Sequence, residues 1–236
     1  MDDLDRMIPV PTPARPLLGL TILVIEDSRF ASEAMRLLCL RSGARIRRAD
    51  CLRSARRHLQ VYRPSVAIVD LGLPDGSGAE LIRDLAASQP RVAVILGLSG
   101  DDSAERLARA AGADGFLAKP VTGLAAFQNA ILRHLPPDRQ PAGPRAVSGE
   151  TIRPDRLALR EDMAQLAEAL DRGVQGKELD YVAQFLAGVA RIAGDVPLVE
   201  AAGALAASRQ AGQASGAEVA RIAGLVRARL AEPVVI

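Results

Sequence analysis

Thr21-Ile22-Leu23-Val24-Ile25-Glu26-Asp27 is an unbroken apolar run closed by two acids, and the same grammar recurs three times further along the chain. Val66-Ala67-Ile68-Val69 precedes Asp70, Val92-Ala93-Val94-Ile95-Leu96 leads toward Ser99, and Gly115-Phe116-Leu117-Ala118 precedes Lys119. Short β-branched and aliphatic runs separated by helix-length segments predict buried strands of a parallel sheet with helices on both faces. In such a sheet a ligand binds beyond the carboxyl ends of the strands. Glu26, Asp27, Asp70, Ser99 and Lys119 are therefore expected to share one crevice.

Carboxylates gathered that closely resist joint ionisation unless a cation screens them. Magnesium suits the site, because it takes one or two carboxylates together with waters and phosphate oxygens. With the ion bound, one carboxylate is placed to attack a phosphoryl donor and become an aspartyl phosphate. A metal on one side and an ammonium on the other then neutralise the phosphoryl oxygens. Lysine is scarce: Lys119 and Lys177 are the two lysines among 30 basic residues. A lysine followed by Pro120 at a strand end suggests that a compact ammonium is wanted there.

A length of 236 residues admits one large domain or two ordinary ones, and a net charge of +2 supplies no global field toward nucleic acid or membrane. The opening Met1-Asp2-Asp3-Leu4-Asp5 is acidic where a signal peptide needs positive charge, and no apolar stretch reaches bilayer length, so a cytoplasmic location is expected. Cys39 and Cys51 fall in a helix and at a helix start, which fits reduced thiols. His58 and His134 lie in helical segments and read as surface or helix-end residues.

Residues 1–19 carry Pro9, Pro11, Pro13 and Pro16 and read as an extended, flexible lead-in. Residues 20–135 alternate strand and helix. Phe30, Ala34, Leu37, Leu38 and Leu40 give the face of a first helix ended by Ser42-Gly43. An arginine-bearing second strand, residues 44–49, reads as an edge. Further helices are expected over 51–61, 79–88 and 124–134, with Asp102-Ser-Ala-Glu105 as a capping box opening another that stops at Gly112. Residues 136–152 hold Pro136, Pro137, Pro141, Gly143 and Pro144 and read as a linker.

Residues 153–236 are alanine-rich and lack strand-like alternation. Leu159, Met163, Leu166 and Leu170 form one helical stripe, ended by Gly173 and Gly176. Leu179, Val182, Leu186, Val189 and Ala193 form a second, broken by Gly194 and Pro197. A third helix is expected over 198–208, and a fourth opens at the box Ser215-Gly-Ala-Glu218 and carries Val219, Ile222, Val226 and Leu230. Short connections between such helices predict an all-α, antiparallel four-helix bundle.

On these residues the segment 20–135 resembles the receiver domain of bacterial two-component response regulators. The resemblance implies a flavodoxin-like, doubly wound α/β fold with a five-stranded parallel sheet in the order 2-1-3-4-5. It implies Asp70 as phosphoacceptor and Asp27 as a direct magnesium ligand. Glu26 stands where the family usually has Asp and would bind the metal directly or through water, and the Gly72 backbone carbonyl would supply another ligand. Ser99 matches the hydroxyl residue that turns toward the phosphoryl group, Lys119 matches the lysine of the Lys-Pro pair, and Phe116 stands at the aromatic switch position, without the hydroxyl that a tyrosine would offer.

More weakly, the helical segment resembles a histidine phosphotransfer domain. Ala190-Arg191-Ile192-Ala193-Gly194 falls where that family has its phosphorylatable motif, and Ala190 stands in place of the histidine, so ordinary relay of phosphate is not expected. Eleven acidic residues face ten basic ones from Thr151 onward, no basic recognition helix stands out, and neither a glycine-rich phosphate loop nor a metal-spaced cluster occurs there. The expected protein is a phosphorelay response regulator rather than an enzyme. Its expected partner is a sensor histidine kinase or phosphotransfer protein, met through protein contact and modulated by phosphate on Asp70. Two alternatives stand beside it: a transcriptional or antitermination regulator whose helical output binds DNA or RNA, and a phosphorylation-controlled homodimerising scaffold. No membrane partner is expected.

Overall fold

The computed structural model describes residues 10–101, 103–143 and 148–232. Strands β1 (Thr21–Ile25), β2 (Arg45–Ala49), β3 (Val66–Asp70), β4 (Val94–Ser99) and β5 (Gly115–Ala118) form one parallel sheet in the spatial order β2-β1-β3-β4-β5. Ile22 pairs with Ile46 on one side and Val66 on the other, Val66 pairs with Val94, and Leu96 pairs with Gly115. Successive side chains along a strand point to opposite faces, so an all-apolar strand feeds two cores. Ile22, Val24, Val66, Ile68 and Leu96 pack with Met35 and Leu38 of α1 (Arg29–Ser42) and with Phe127 and Ile131 of α5 (Leu124–Leu132). Leu23, Ile25, Ala67, Val69 and Ile95 face the other way, onto α2 (Leu52–Val61), α3 (Gly78–Ala87) and α4 (Ala104–Ala110).

Several local expectations change in the structure. The fourth strand begins at Val94 and continues through Gly97, where a side chain would strike Ala108, so Ser99 is its last residue. Leu40 is exposed, and Phe30 leaves the sheet core for another one described below. Leu17, expected in a flexible lead-in, is fully buried against the sheet core and its amide donates to the Ser42 carbonyl; residues 1–9 lie outside the described residues. The box expected at Asp102 falls on a residue outside those described. Ser103 makes no side-chain cap bond, and Asp101 accepts the Ser103 amide at 2.8 Å while Glu105 pairs with Arg109.

The segment expected as a linker returns to the α/β unit at its far end. Thr151 bridges Gly123, and Ile152 is buried in the sheet core with its amide on the Thr122 carbonyl; residues 144–147 lie outside the described residues.

Helices α6 (Arg156–Asp171), α7 (Gly176–Ala193), α8 (Val196–Gln210) and α9 (Gly216–Ala231) follow and share one apolar core that includes Met163, Leu166, Leu186, Leu205, Ile222 and Val226. Gly194, at φ 70°, ends α7 in the left-handed region that a residue with a Cβ adopts at a cost. Pro197 sits in the first turn of α8, where its missing N–H is harmless, and Gly176 opens α7 rather than ending α6. Ala193 is exposed, and the box at Ser215 does not form, because Glu218 accepts the Ser208 hydroxyl instead.

The two units meet along α1. Phe30, in its first turn, belongs to the helical core, and α1 packs on both α6 and α7.

Candidate functional site

Each site residue is delivered by a strand end. Ile25 ends β1 and places Glu26 and Asp27, Asp70 and Ser99 close β3 and β4, and Lys119 follows β5. Glu26, Asp27 and Asp70 each offer a carboxylate oxygen within 4.8 Å of the others. Lys119 Nζ lies 2.6 Å from Asp70 Oδ2 and 2.6 Å from Glu26 Oε2. The Gly72 amide donates to Asp70 Oδ1 at 3.1 Å, from a two-residue strand that pairs with Gly76–Ser77. Gly78 backs the site closely, since a Cβ there would run into the Asp70 carbonyl oxygen. Ser99 Oγ lines the same crevice and accepts the Asp101 amide at 3.1 Å. Phe116 is half-buried on the α2–α4 side of the sheet and does not line the crevice.

The electrostatics are those of a site short of positive charge. Burial pushes the Glu26 carboxyl up to about 8, with Asp70 and Asp27 adding to the shift and Lys119 opposing it. Asp27 rises to about 6, chiefly by burial and then by the Asp70 charge, against the hydrogen bond from Tyr181. Burial opposes the Lys119 ammonium, yet Glu26 and Asp70 together hold it well above the ordinary lysine range. Glu26 Oε1 accepts the Ser28 amide at 3.1 Å, while its buried Oε2 lies near Lys119 but receives no well-aligned hydrogen bond. Three carboxylates gathered around a single ammonium fit a hard divalent cation.

The crevice mouth is lined from above by α7. Tyr181 donates its hydroxyl to Asp27 Oδ2, and the Gln184 amide group occupies the space a Cβ on Gly72 would need. A Cβ on Gly188 would sit 3.9 Å from Lys119 Cδ, and Arg191 Nη1 donates to the Gly100 carbonyl at 2.9 Å. These four positions, spaced three, four and three apart, form one face of a helix. Asp162 of α6 completes the contact. Its fully buried carboxylate accepts the Ser28 hydroxyl at 2.7 Å, the Arg29 amide at 2.9 Å and the Phe30 amide at 3.1 Å. Between the units remains a cavity of about 810 Å³, lined among others by Asp70, Ser99, Lys119, Gln184, Arg191 and Arg209.

Ala190, expected at the place of a phosphorylatable histidine, is fully buried in the helical core. It lies one helical turn beyond Leu186 on the stripe that packs inward, so no side chain there could meet Asp70. Sequence reading missed Tyr181, Gln184, Arg191 and Asp162. Only Asp162 left a signal: it sits on the apolar stripe between Leu159 and Leu166, where a charge needs a partner.

Residues 22–131 match the family model of the response regulator receiver domain, and the α/β unit is a receiver domain of that family. The chain is similar to the KDP operon transcriptional regulatory protein KdpE of Escherichia coli K12, at 33% identity over 42% of this chain and 44% of that protein. It is similar to the virulence transcriptional regulatory protein PhoP of Salmonella typhimurium 14028s, at 32% identity over 48% of this chain and 51% of that protein. The chain thus spans about half the length of these curated relatives. Among solved structures, the signal receiver domain of a signal transduction histidine kinase from Syntrophus aciditrophicus aligns at 25% identity and TM-score 0.45, over 49% of this chain and 89% of that one. Among the described residues, no helix is long and apolar enough to cross a membrane.

Proposed function

We propose that the chain is a response regulator that accepts a phosphoryl group on Asp70 with magnesium and signals by protein contact through its helical unit. The observation that carries the reading is the convergence of Asp70, Glu26 and Asp27 with a lysine 2.6 Å from Asp70 Oδ2. Glu26, Asp27, Asp70 and the Gly72 carbonyl are the groups that would hold magnesium. When bound, magnesium supplies positive charge to the phosphoryl oxygens and screens the acids from one another. A carboxylate oxygen of Asp70 attacks phosphorus and forms the new P–O bond. The P–N bond of a phosphohistidine breaks, and the released imidazole nitrogen takes a proton from water. Lys119 holds Asp70 in place beforehand and is positioned to follow the charge onto the phosphoryl group, and Ser99 offers it a hydroxyl. Phe116 acts as the aromatic residue of the switch by packing alone.

The donor is a sensor histidine kinase or a phosphotransfer protein in the cytoplasm, and the chain is a signalling protein rather than an enzyme. The helical unit is a four-helix bundle of phosphotransfer type that contains no histidine, and its near-balanced charge suits a protein partner better than a polyanion. One observation favours a second reading, binding of DNA or RNA: the curated relatives are named transcriptional regulators. Their matches cover less than half of this chain, no more than a receiver's share.

Incubation with Mg²⁺ and phosphoramidate, followed by a phosphate-affinity gel, tests the acceptor: wild type shifts and Asp70→Ala does not. A shift that persists in Asp70→Ala removes the assignment. For the output, any retardation of nucleic acid at low salt that falls steeply with added salt would support the second reading, and its absence supports protein contact.

A further inference from the structure

We infer that the helical unit is a built-in cover for the phosphoacceptor crevice, and that magnesium binding and closure of this cover compete through Tyr181. The inference rests on the receiver reading above and adds the regulation of that same site.

Contacts at both ends of the interface hold the cover down. At the mouth, the Tyr181 hydroxyl occupies Asp27 Oδ2, Gln184 fills the space above Gly72, Gly188 passes beside Lys119, and Arg191 is tied to the Gly100 carbonyl. Behind the mouth, Asp162 takes three donors from Ser28, Arg29 and Phe30, and the Phe30 ring is sunk into the helical core. Arg29 adds an exposed pair with Glu161 at 2.9 Å. An exposed pair alone would contribute little, but a buried carboxylate with three hydrogen bonds and a buried ring are substantial anchors.

Two consequences follow from this placement. A protein donor must bring a phosphohistidine up to Asp70, and the approach is filled by α7, so the closed chain excludes it. The cavity of about 810 Å³ behind α7 is large enough for a small phosphodonor, so the same exclusion does not extend to phosphoramidate. The second consequence concerns the metal. The Asp27 oxygen that accepts the Tyr181 hydroxyl belongs to a magnesium-ligand candidate, so ion and phenol draw on the same lone pairs. By linkage, whatever factor closure takes from magnesium affinity, magnesium takes from closure.

The test uses the full chain as wild type, Tyr181→Phe and Asp162→Ala, titrated with MgCl₂ in a calorimeter, with amide hydrogen exchange followed over 177–191. Phenylalanine keeps the shape of Tyr181, so this variant retains the fold even if Asp162→Ala does not. Loss of one hydrogen bond to a charged group should tighten magnesium binding by about tenfold or more in Tyr181→Phe. Asp162→Ala should move in the same direction, and MgCl₂ should speed exchange over 177–191 in wild type. Equal magnesium affinity in wild type and Tyr181→Phe, or slower exchange on adding MgCl₂, overturns the cover while leaving the receiver reading intact if phosphoramidate still labels Asp70. Absence of magnesium binding in every form overturns both.

Discussion

Asp162 Oδ2 accepts the hydroxyl of Ser28 at 2.7 Å, joining two buried side chains that are 134 residues apart in sequence. Ser28 in turn caps α1 by accepting the Ala31 amide at 2.9 Å, so the cap of α1, one residue beyond Asp27, is held from the helical unit. Asp162→Ala leaves three donors without their acceptor and should weaken docking by about 3 kcal/mol. Faster amide exchange at Arg29 and Phe30, with a larger radius in solution scattering, is the expected outcome; unchanged protection would show that docking does not depend on Asp162.

Phe30 belongs to the receiver by sequence and to the helical core by packing. Its truncation in Phe30→Ala should cost about 3–5 kcal/mol. The loss should fall on coupling between the units, so that calorimetric unfolding separates into two transitions where wild type shows one. A uniform downward shift of a single transition would place the ring's contribution elsewhere.

Gly78 is needed because its Cα lies against the backbone carbonyl of Asp70. Gly78→Ala forces the strand end or the hairpin to move, and should destabilise the receiver by about 2–4 kcal/mol while displacing Asp70 from Lys119. The check is chemical denaturation together with labelling by phosphoramidate, both of which should fall.

The strand-end residues were legible because burial on both faces of a parallel strand leaves a local mark, an apolar run, and the residue that closes the run is forced to the sheet edge. Glu26, Asp27, Asp70, Ser99 and Lys119 meet as that rule requires. The cover was not legible, because Tyr181 and Asp27 are brought together by packing across 154 residues of chain, and no periodicity records such a meeting. Ala190 shows the cost of reading a motif against the helical stripe: its four-residue spacing from Leu186 already pointed it inward. The box at Ser215 failed for a different reason, since the Ser208 hydroxyl offered Glu218 a nearer partner than the box geometry assumes.

Asp195 caps α8 through the Leu198 amide and pairs with Arg229 at 2.6 Å. The Arg229 hydrogen bond holds its carboxyl below the usual aspartate range. A depressed folded-state value stabilises the fold above the unfolded value, and that stability is lost as pH falls through the folded one. The helical unit should therefore be indifferent to this pair from neutral pH to about pH 5 and lose stability below about pH 4. Asp195→Ala should cost about 1–2 kcal/mol at pH 7 and flatten that acid limb, as followed by circular dichroism.

Phosphoryl transfer to Asp70, as proposed, leaves an acyl phosphate that chemistry can locate. The most direct test is peptide mapping of the wild-type chain after reaction with phosphoramidate and Mg²⁺ and reduction with borohydride, which converts an aspartyl phosphate to homoserine. Homoserine is expected at position 70 alone, and none when Mg²⁺ is withheld. Homoserine at position 27, or an unmodified Asp70 in a chain that carries phosphate, would contradict transfer to Asp70.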